Sequence, residues 1–421
     1  MARHFLFLQG PHGPFFRQLG QVLRKAGHSI SRIGINAGDE AEWRGAGSYR
    51  AWYAPLSDWG AELRAYVQSE GVTDIVFYGE ARPFHRDVAA LGQELGICVH
   101  VFEEGYLRPY WITYERGGVN GSSELMNLAL AEIRAALPPE DTPILAAPDQ
   151  WGTTYRHALA GARYHFNVVL GRGRYPRFEP HRGVSVGREL RLNLRKLVLH
   201  PVTALQRRFA MRTLRATGAP YHLALLQLGH DASVQMHSPY DAIVPFMADV
   251  AEAFAAGAPP HHHLVFKTHP FDDGREPIAA EAQRLSRVHR LSGRVHVVVG
   301  GPLARLLDAA ESAVTINSTA AQQALWRALP VRAMGRAIYA RPSLVSQQPL
   351  EDFFAAPDGP DHGAYLDLRR FLLMTSQIKG SYYTGLGRAD VLREVVDKML
   401  MPQSPYERVL QSASRAPTAR L

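Results

Sequence analysis

The sequence is nearly devoid of cysteine, with Cys98 alone among 421 residues. No internal disulfide can form, and a thiol inside an apolar run reads as packing in a reducing compartment rather than as a nucleophile. No stretch approaches the roughly 20 apolar residues that a membrane-spanning helix needs. The leading run Phe5 to Leu8 is too short for a signal peptide, so the expectation is a cytoplasmic chain, soluble or peripheral. Gly10-Pro11-His12-Gly13 is not a dinucleotide fingerprint and no Gly-x-x-x-x-Gly-Lys-Ser/Thr occurs, which argues against nicotinamide and P-loop chemistry. His261-His262-His263 has no acidic or Cys partner at ligand spacing and leads into a strand, so no metal is expected. Internal repeats and low-complexity tracts are absent, as is any nucleic-acid-binding module.

What is present is a chain longer than one hydrophobic core usually serves, with 46% hydrophobic residues to fill two. Its formal net charge of +8 is uneven. Residues 156 to 215 hold 14 Lys/Arg against Glu179 and Glu189, a local +12, so the remainder is acidic. Such an excess points to an anionic partner: nucleic acid, phospholipid headgroups or a nucleotide-charged substrate.

Period and punctuation predict strands at Phe5 to Leu8, Ile30 to Ile35, Asp74 to Tyr78 and Ile97 to Phe102. Helices are predicted at Phe15 to Ala26, 60 to 69 and Arg86 to Leu95, an alternation that makes a parallel, doubly wound sheet. Residues 120 to 215 read as mainly helical. A second series follows Thr217-Gly218-Ala219-Pro220, with strands at His222 to Leu228, His263 to Lys267, Val295 to Val299 and Ala313 to Ile316. Its helices are Tyr240 to Ala256, Ile278 to Val288, Leu303 to Ala310 and Thr319 to Leu329. Two Rossmann-like halves imply a cleft between them. The expected domains are 1–217 with a basic helical insertion at about 156–215, 218–375, and a helical tail 376–421 that crosses back to the N-terminal domain.

Candidate chemistry gathers at predicted strand ends. Phe102-Glu103-Glu104-Gly105 delivers adjacent carboxylates into a Gly-containing loop, where one can serve as general acid or base. Extended neighbours point to opposite faces, so one of the two acts. Leu226-Gln227-Leu228-Gly229-His230-Asp231-Ala232-Ser233 follows the first strand of the second half. Asp231 there can be a nucleophile or the N-cap of a following helix, and local sequence leaves both open. Lys267-Thr268-His269-Pro270 ends the next strand with an ammonium and an imidazole able to bond a phosphate. Asn317-Ser318-Thr319-Ala320 leads into the Thr319 to Leu329 helix, whose N–H groups and hydroxyls form an anion site. Tyr382 and Tyr383 fit either a returning tail at the site or the core.

Taken in order, Phe7-Leu8-Gln9-Gly10-Pro11, Phe102 to Pro109, Gly117-Gly118-Val119-Asn120-Gly121, Gln227 to Ser233, Lys267 to Pro270 and Ile316-Asn317-Ser318-Thr319 resemble the bacterial capsule polysaccharide synthesis and export family. The resemblance spans about residues 4 to 385 and is strongest to the single-domain Kdo transferases that start a poly-Kdo linker on a phospholipid. It implies an α/β, GT-B-like fold and a retaining β-Kdo glycosyltransferase that moves Kdo from CMP-Kdo to a glycerophospholipid of the phosphatidylglycerol type. Family members are similar to bacterial sialyltransferases, and by that similarity His269 with Ser318 and Thr319 would hold CMP. Glu103 or Glu104 would be acid/base, and Asp231 the covalent nucleophile. Gln227, Ser233, Lys267, Pro270, Asn317, Arg108, Asn120 and Gln9 would line the substrate. A single-phosphate donor with a good leaving group asks for no metal or other cofactor. The implied partners are CMP-Kdo, the lipid acceptor, an anionic inner-membrane surface and other capsule assembly proteins, with no nucleic acid. The location implied is the inner face of the cytoplasmic membrane. The alternatives are an inverting sialyltransferase-like enzyme, in which Asp231 only orients a loop, and a noncatalytic export or assembly component.

Overall fold

Short apolar runs bounded by glycine or polar turns become buried strands along the whole chain. The structure, a computed structural model, describes residues 2–139, 154–178, 186–229, 231–270, 272 and 274–415. Contacts divide it into two units, Met1–His181 with Arg369–Leu421, and Arg182–Leu368.

In the first unit the chain alternates β1 (His4–Phe7), α1 (Phe15–Lys25), β2 (Ser29–Gly34), α2 (Ala37–Trp43), β3 (Ser48–Ala51), α3 (Trp59–Ser69), β4 (Asp74–Tyr78), α4 (Val88–Leu95) and β5 (Cys98–Glu104). These five strands are parallel in the order β3-β2-β1-β4-β5. Alternation along β1 sends Phe5 and Phe7 to one face with Phe15, Phe16 and Leu19, and Leu6 to the other with Ile33 and Ile75. β6 (Trp111–Arg116) then adds antiparallel to β5. That pairing corrects two expectations: the sheet is mixed rather than wholly parallel, and Glu103 and Glu104 are the last residues of β5 rather than loop residues, opposite Thr113 and Ile112. The polar edge strand β3 and β6 itself have no counterpart in the sequence reading. Helices α5 (Leu130–Ala135) and α6 (Thr154–Leu170) follow, and residues 140–153 and 179–185 of the expected helical stretch lie outside the described residues.

The second unit opens with α7 (Val186–Thr217) and runs β7 (Tyr221–Leu225), α8 (Ala232–His237), α9 (Ile243–Gly257), β8 (His263–Lys267), α10 (Ile278–Val288), β9 (Val295–Val298), α11 (Ala304–Leu307), β10 (Ser312–Thr315), α12 (Ala321–Leu325), β11 (Val331–Ala333), α13 (Leu350–Ala355) and the first half of α14 (His362–Met374), which groups with the first unit from Arg369 on. All five strands are parallel in the order β11-β10-β7-β8-β9. The basic helix α7 groups here and not with the N-terminal half, because it packs on β9, where Arg207 donates to the Val299 carbonyl. The helix expected over Thr319 to Leu329 is only five residues long. It stops at Leu325, and the turn that follows ends at Ala328, which takes a positive φ of 54°.

The tail belongs to the first unit. β12 (Gln377–Lys379) pairs antiparallel with β6, and α15 (Gly385–Leu400) buries Val391, Val395 and Met399 in the core that holds Phe5 and Phe7. α16 (Pro405–Arg415) ends the described chain. Both units are thus Rossmann-like, the architecture the sequence pointed to. Among the described residues no helix is long and apolar enough to cross a membrane.

At the amino edge of the first sheet, Asp74 is fully buried and accepts from Arg3 Nε at 2.8 Å, His100 Nε2 at 2.7 Å and Thr73 Oγ1 at 2.6 Å. Cys98 lies beside His100 and completes a trio with metal-ligand potential, but the Asp74 oxygens are already committed to these donors. Burial pushes the Asp74 carboxyl up, yet hydrogen bonds from His100 and Arg3 outweigh it and hold it at about 2. A carboxyl depressed in the fold stabilises it fully above its ordinary range and loses that contribution as pH falls toward 2. Asp74→Ala should therefore cost roughly 3–5 kcal/mol at pH 7, by denaturant unfolding, because it strands buried partners. The deficit should shrink steadily between about pH 4 and pH 2, and a deficit independent of pH would refute the ionised assignment.

Candidate active site

The carboxyl edge of the first sheet is built around the end of β5. Glu104 Oε1 accepts from the hydroxyls of Tyr78 at 3.2 Å and Tyr383 at 2.9 Å. Glu103 folds back so that its Oε1 accepts the Glu104 N–H at 3.0 Å, and its carbonyl takes the Tyr382 hydroxyl at 2.9 Å. The two acids therefore differ in role. Glu104 is fastened by two phenols, whereas Glu103 has Oε2 free of any hydrogen bond among the described residues. Burial pushes the Glu103 carboxyl up to about 7, with the neighbouring Glu104 charge adding to the shift and Arg82 and Arg108 opposing it. Such a group exchanges its proton near neutrality, as an acid/base must.

Gly105 is demanded by the hairpin that follows: a Cβ there would lie 2.2 Å from the Trp111 carbonyl oxygen. Gln377 on β12 braces this turn, accepting from Leu107 N–H at 3.3 Å and donating to Thr113 Oγ1 at 3.0 Å. Arg108 donates from Nε to the Gly105 carbonyl, and Asn120 gives its N–H to the Tyr106 hydroxyl. Gln9 is 8% exposed and its amide donates to the Tyr164 hydroxyl at 2.8 Å. That hydroxyl also takes Asn36 Nδ2 and donates to Asp39, which pairs with buried Arg32, so the Gln9 side chain serves a buried network. Tyr382 is fully buried against Phe15 and is a core residue as well as a brace. Tyr78 and Arg82 escaped the sequence reading. The available signal was adjacency, since Tyr78 on β4 pairs with Phe102 on β5.

In the second unit the sheet's carboxyl edge is tied by a reciprocal amide pair. Gln227, just past β7, donates from Nε2 to Asn317 Oδ1 at 2.8 Å, and the Asn317 N–H returns a bond to Gln227 Oε1 at 2.9 Å. Asn317 Nδ2 then donates to the Ser233 carbonyl at 2.9 Å, and the Ser233 N–H donates to Asp231 Oδ1 at 3.0 Å. Four of the predicted residues thus form one chain of hydrogen bonds. Asp231 is the N-cap of α8, its Oδ1 accepting the Ser233 N–H, and it is exposed, so of the two roles left open by sequence the structure displays the capping one. His230 lies outside the described residues. Gly229 leaves room for Glu276, whose Oε1 would sit 2.0 Å from a Cβ there, and Glu276 Oε2 caps α9 through the Ile243 and Val244 N–H groups.

Beside this edge a cavity of about 20 Å³, room for one water, is lined by Gln227, His269, Asp272 and Arg275 among others. Lys267 ends β8, buried, and Pro270 is exposed. Ser318 Oγ accepts the Ala320 N–H at 3.2 Å, and the Ser318 carbonyl takes the Tyr339 hydroxyl at 2.6 Å. The long helix expected behind these hydroxyls is corrected here, since α12 begins at Ala321 and its single turn adds little dipole. Ser318 and Thr319 sit on the turn before it, half-buried.

Two Rossmann-like units, each with polar side chains gathered at its sheet's carboxyl edge, define the class of an α/β protein built to handle a ligand there. The sequence profile of the family described as capsule polysaccharide biosynthesis protein matches residues 73–383. The chain is 32% identical over 390 residues to the capsule polysaccharide export protein KpsS of Escherichia coli, covering 91% of this chain and 97% of that one. It is 29% identical over 394 residues to the capsule polysaccharide modification protein LipB of Neisseria meningitidis, covering 91% and 92%. The protein belongs to the capsule polysaccharide biosynthesis family. Among solved structures it is similar to the beta Kdo 2,7 transferase of Thermosulfurimonas dismutans KpsC, with 13% identity, a TM-score of 0.43 and coverage of 94% and 99%. A likeness that distant fixes no residue role.

The raised Glu103 carboxyl sets a pH signature. A neutral carboxyl favoured by the fold contributes stability that is complete below its ordinary range near 4.5 and is lost as pH rises through about 7. Glu103→Gln keeps an acceptor for the Glu104 N–H and removes the charge. Thermal melting from pH 5 to pH 8 should therefore fall less steeply for the variant than for the parent. Identical slopes would show that this carboxyl titrates in the ordinary range.

Proposed function

We propose that the protein is a retaining β-Kdo glycosyltransferase that moves Kdo from CMP-Kdo to a glycerophospholipid of the phosphatidylglycerol type. The observation that carries this reading is the Gln227–Asn317–Ser233 chain of hydrogen bonds, which holds the exposed Asp231 carboxylate at the carboxyl edge of a parallel sheet. Retention asks for a nucleophile and a separate acid/base, and Asp231 with Glu103 supplies both chemistries. In the first displacement an Asp231 oxygen bonds to the anomeric carbon of Kdo as the carbon–oxygen bond to phosphate breaks and CMP departs. In the second, the acceptor hydroxyl attacks that carbon, Asp231 leaves, and a carboxylate takes the hydroxyl proton, the role that the family resemblance gives to Glu103 or Glu104. His269, Ser318 and Thr319 would hold CMP, and Pro270, Arg108 and Asn120 would line the substrate.

Membership of the capsule polysaccharide family supports the setting, and the relatives' names speak of export and modification of the same polymer. Partners would be CMP-Kdo, the lipid, other capsule assembly proteins and an anionic inner-membrane surface. Helix α6 supports the last of these. It buries Tyr164 and Val168 on one face while Leu159, Phe166 and Leu170 stand 55%, 62% and 70% exposed on the other. Arg163, Arg172 and Arg177 are exposed around this stripe. Apolar contact flanked by cations suits a peripheral protein on anionic lipid.

The helix-capping bond of Asp231 favours one second reading, an inverting sialyltransferase-like transfer in which that residue orients its loop. Incubation with CMP-Kdo and short-chain phosphatidylglycerol tests both. The account expects a Kdo-lipid of retained anomeric configuration by NMR, and loss of roughly a thousandfold or more in rate for Asp231→Asn. An inverted product would sink the double displacement, and lack of any CMP release would leave the noncatalytic export role. Separately, Phe166→Ser with Leu170→Ser should weaken binding to phosphatidylglycerol vesicles about tenfold or more, from the apolar area no longer inserted. Equal sedimentation of parent and double variant would remove α6 from the membrane reading.

A further inference from the structure

Lys267 is a deeply withdrawn cation of the second unit, only 5% exposed at the end of β8. Its Nζ donates to the Thr268 carbonyl at 2.8 Å and pairs with no carboxylate among the described residues. The second cation at this edge comes from the basic helix: Arg207 of α7 reaches down to the Val299 carbonyl just past β9. It crosses the Gly300-Gly301 turn, where φ is 59° and 80° and a Cβ on Gly301 would lie 2.5 Å from Arg207 Cδ. The diglycine therefore does two things: it accepts a left-handed backbone, and it clears the path for a guanidinium. Thr268 Oγ1 ties the same turn by accepting the Gly300 N–H at 3.4 Å.

Two like charges brought together at a buried strand end repel, and among the described residues no carboxylate pairs with Lys267. Burial, and next the charge of Arg207, push the Lys267 ammonium down to about 8. A buried cation left with one carbonyl is a cost that persists only if something offsets it. We propose that Lys267, Arg207 and the Gly300-Gly301 turn form a binding site for the phosphate of an incoming ligand, with α7 contributing a residue to ligand binding rather than only surface charge. A phosphate oxygen completes the ammonium's bonding, and the planar guanidinium offers the paired donors that phosphate takes best. Which phosphate is bound rests on the transferase reading above, since a CMP-sugar and a phospholipid headgroup both carry one; that a phosphate is bound does not.

The test is titration calorimetry of the full-length protein, at fixed ionic strength, with CMP, glycerol 3-phosphate and inorganic phosphate. Arg207→Gln and Lys267→Met should each weaken the probe that binds by about tenfold or more, the loss of one charge-assisted contact. Arg212→Gln, exposed on the same helix, should leave it unchanged. Without any probe, Lys267→Met should melt no lower than the parent, because it removes a buried unpaired charge; a purely structural lysine would show the reverse. Loss confined to CMP assigns the donor phosphate, and loss confined to glycerol 3-phosphate assigns the acceptor. If CMP fails to bind while another probe still depends on Arg207, the anion site stands and the CMP-sugar reading falls. If CMP binds and Arg207→Gln changes no probe, or no probe binds the parent, the inference is overturned.

Discussion

The reciprocal amide pair of Gln227 and Asn317 is the interaction on which the functional reading depends. Each residue closes the end of a neighbouring parallel strand, β7 and β10, and the Gln227 amide is held at both ends, donating to Asn317 Oδ1 and accepting the Asn317 backbone N–H. Asn317 has one further donor, and it spends it on the Ser233 carbonyl, so the first turn of α8 is fixed to the sheet rather than to its own loop. Asp231 inherits that rigidity through its cap. A carboxylate held this way is exposed yet oriented by its cap, which is what the proposed nucleophile at a sugar centre would need.

The first unit reaches a similar end by a different route. Its acids lie on a strand whose last two residues are paired only because β6 folds back antiparallel. The supports come from far along the chain: Gln377 braces the turn, and Tyr382 and Tyr383 bond Glu103 and Glu104. The returning tail is therefore part of the architecture of the acid pair, and its burial of Val391 and Met399 anchors those phenols. Glu103 and Glu104 separate chemically as a result. One is committed to two hydroxyls, and the other is desolvated and half free.

Legibility in the sequence followed the range of the interaction. Asp74 to Tyr78 and His263 to Lys267 are apolar runs with polar boundaries, and both strands begin and end where the pattern puts them. β3, with the sequence Ser-Tyr-Arg-Ala, has no apolar run and only four residues of alternation, too short to stand out without its partner β2. The Glu pair was visible as chemistry but misplaced as a loop, because strand extension by β6 is a pairing effect. Gln227, Asp231, Ser233 and Asn317 are each legible by motif, yet the bonds that tie Gln227 and Ser233 to Asn317 cross 84 to 90 residues and leave no local trace. Arg207 shows the same limit. The charge excess of residues 156 to 215 reads as one basic segment, but the fold divides it between an exposed apolar-and-basic face on α6 and an inward guanidinium on α7.

The central claim, that Asp231 bonds covalently to the sugar, is tested most directly by peptide mass spectrometry of Glu103→Gln protein quenched after exposure to CMP-Kdo without acceptor. If Glu103 is the base, as proposed, its removal slows only the step that discharges the intermediate. The account predicts a Kdo-sized mass increase confined to the peptide carrying Asp231, absent when Asp231 is replaced by Asn. Turnover of CMP-Kdo with no adduct on that peptide, or an adduct on another residue, would contradict it.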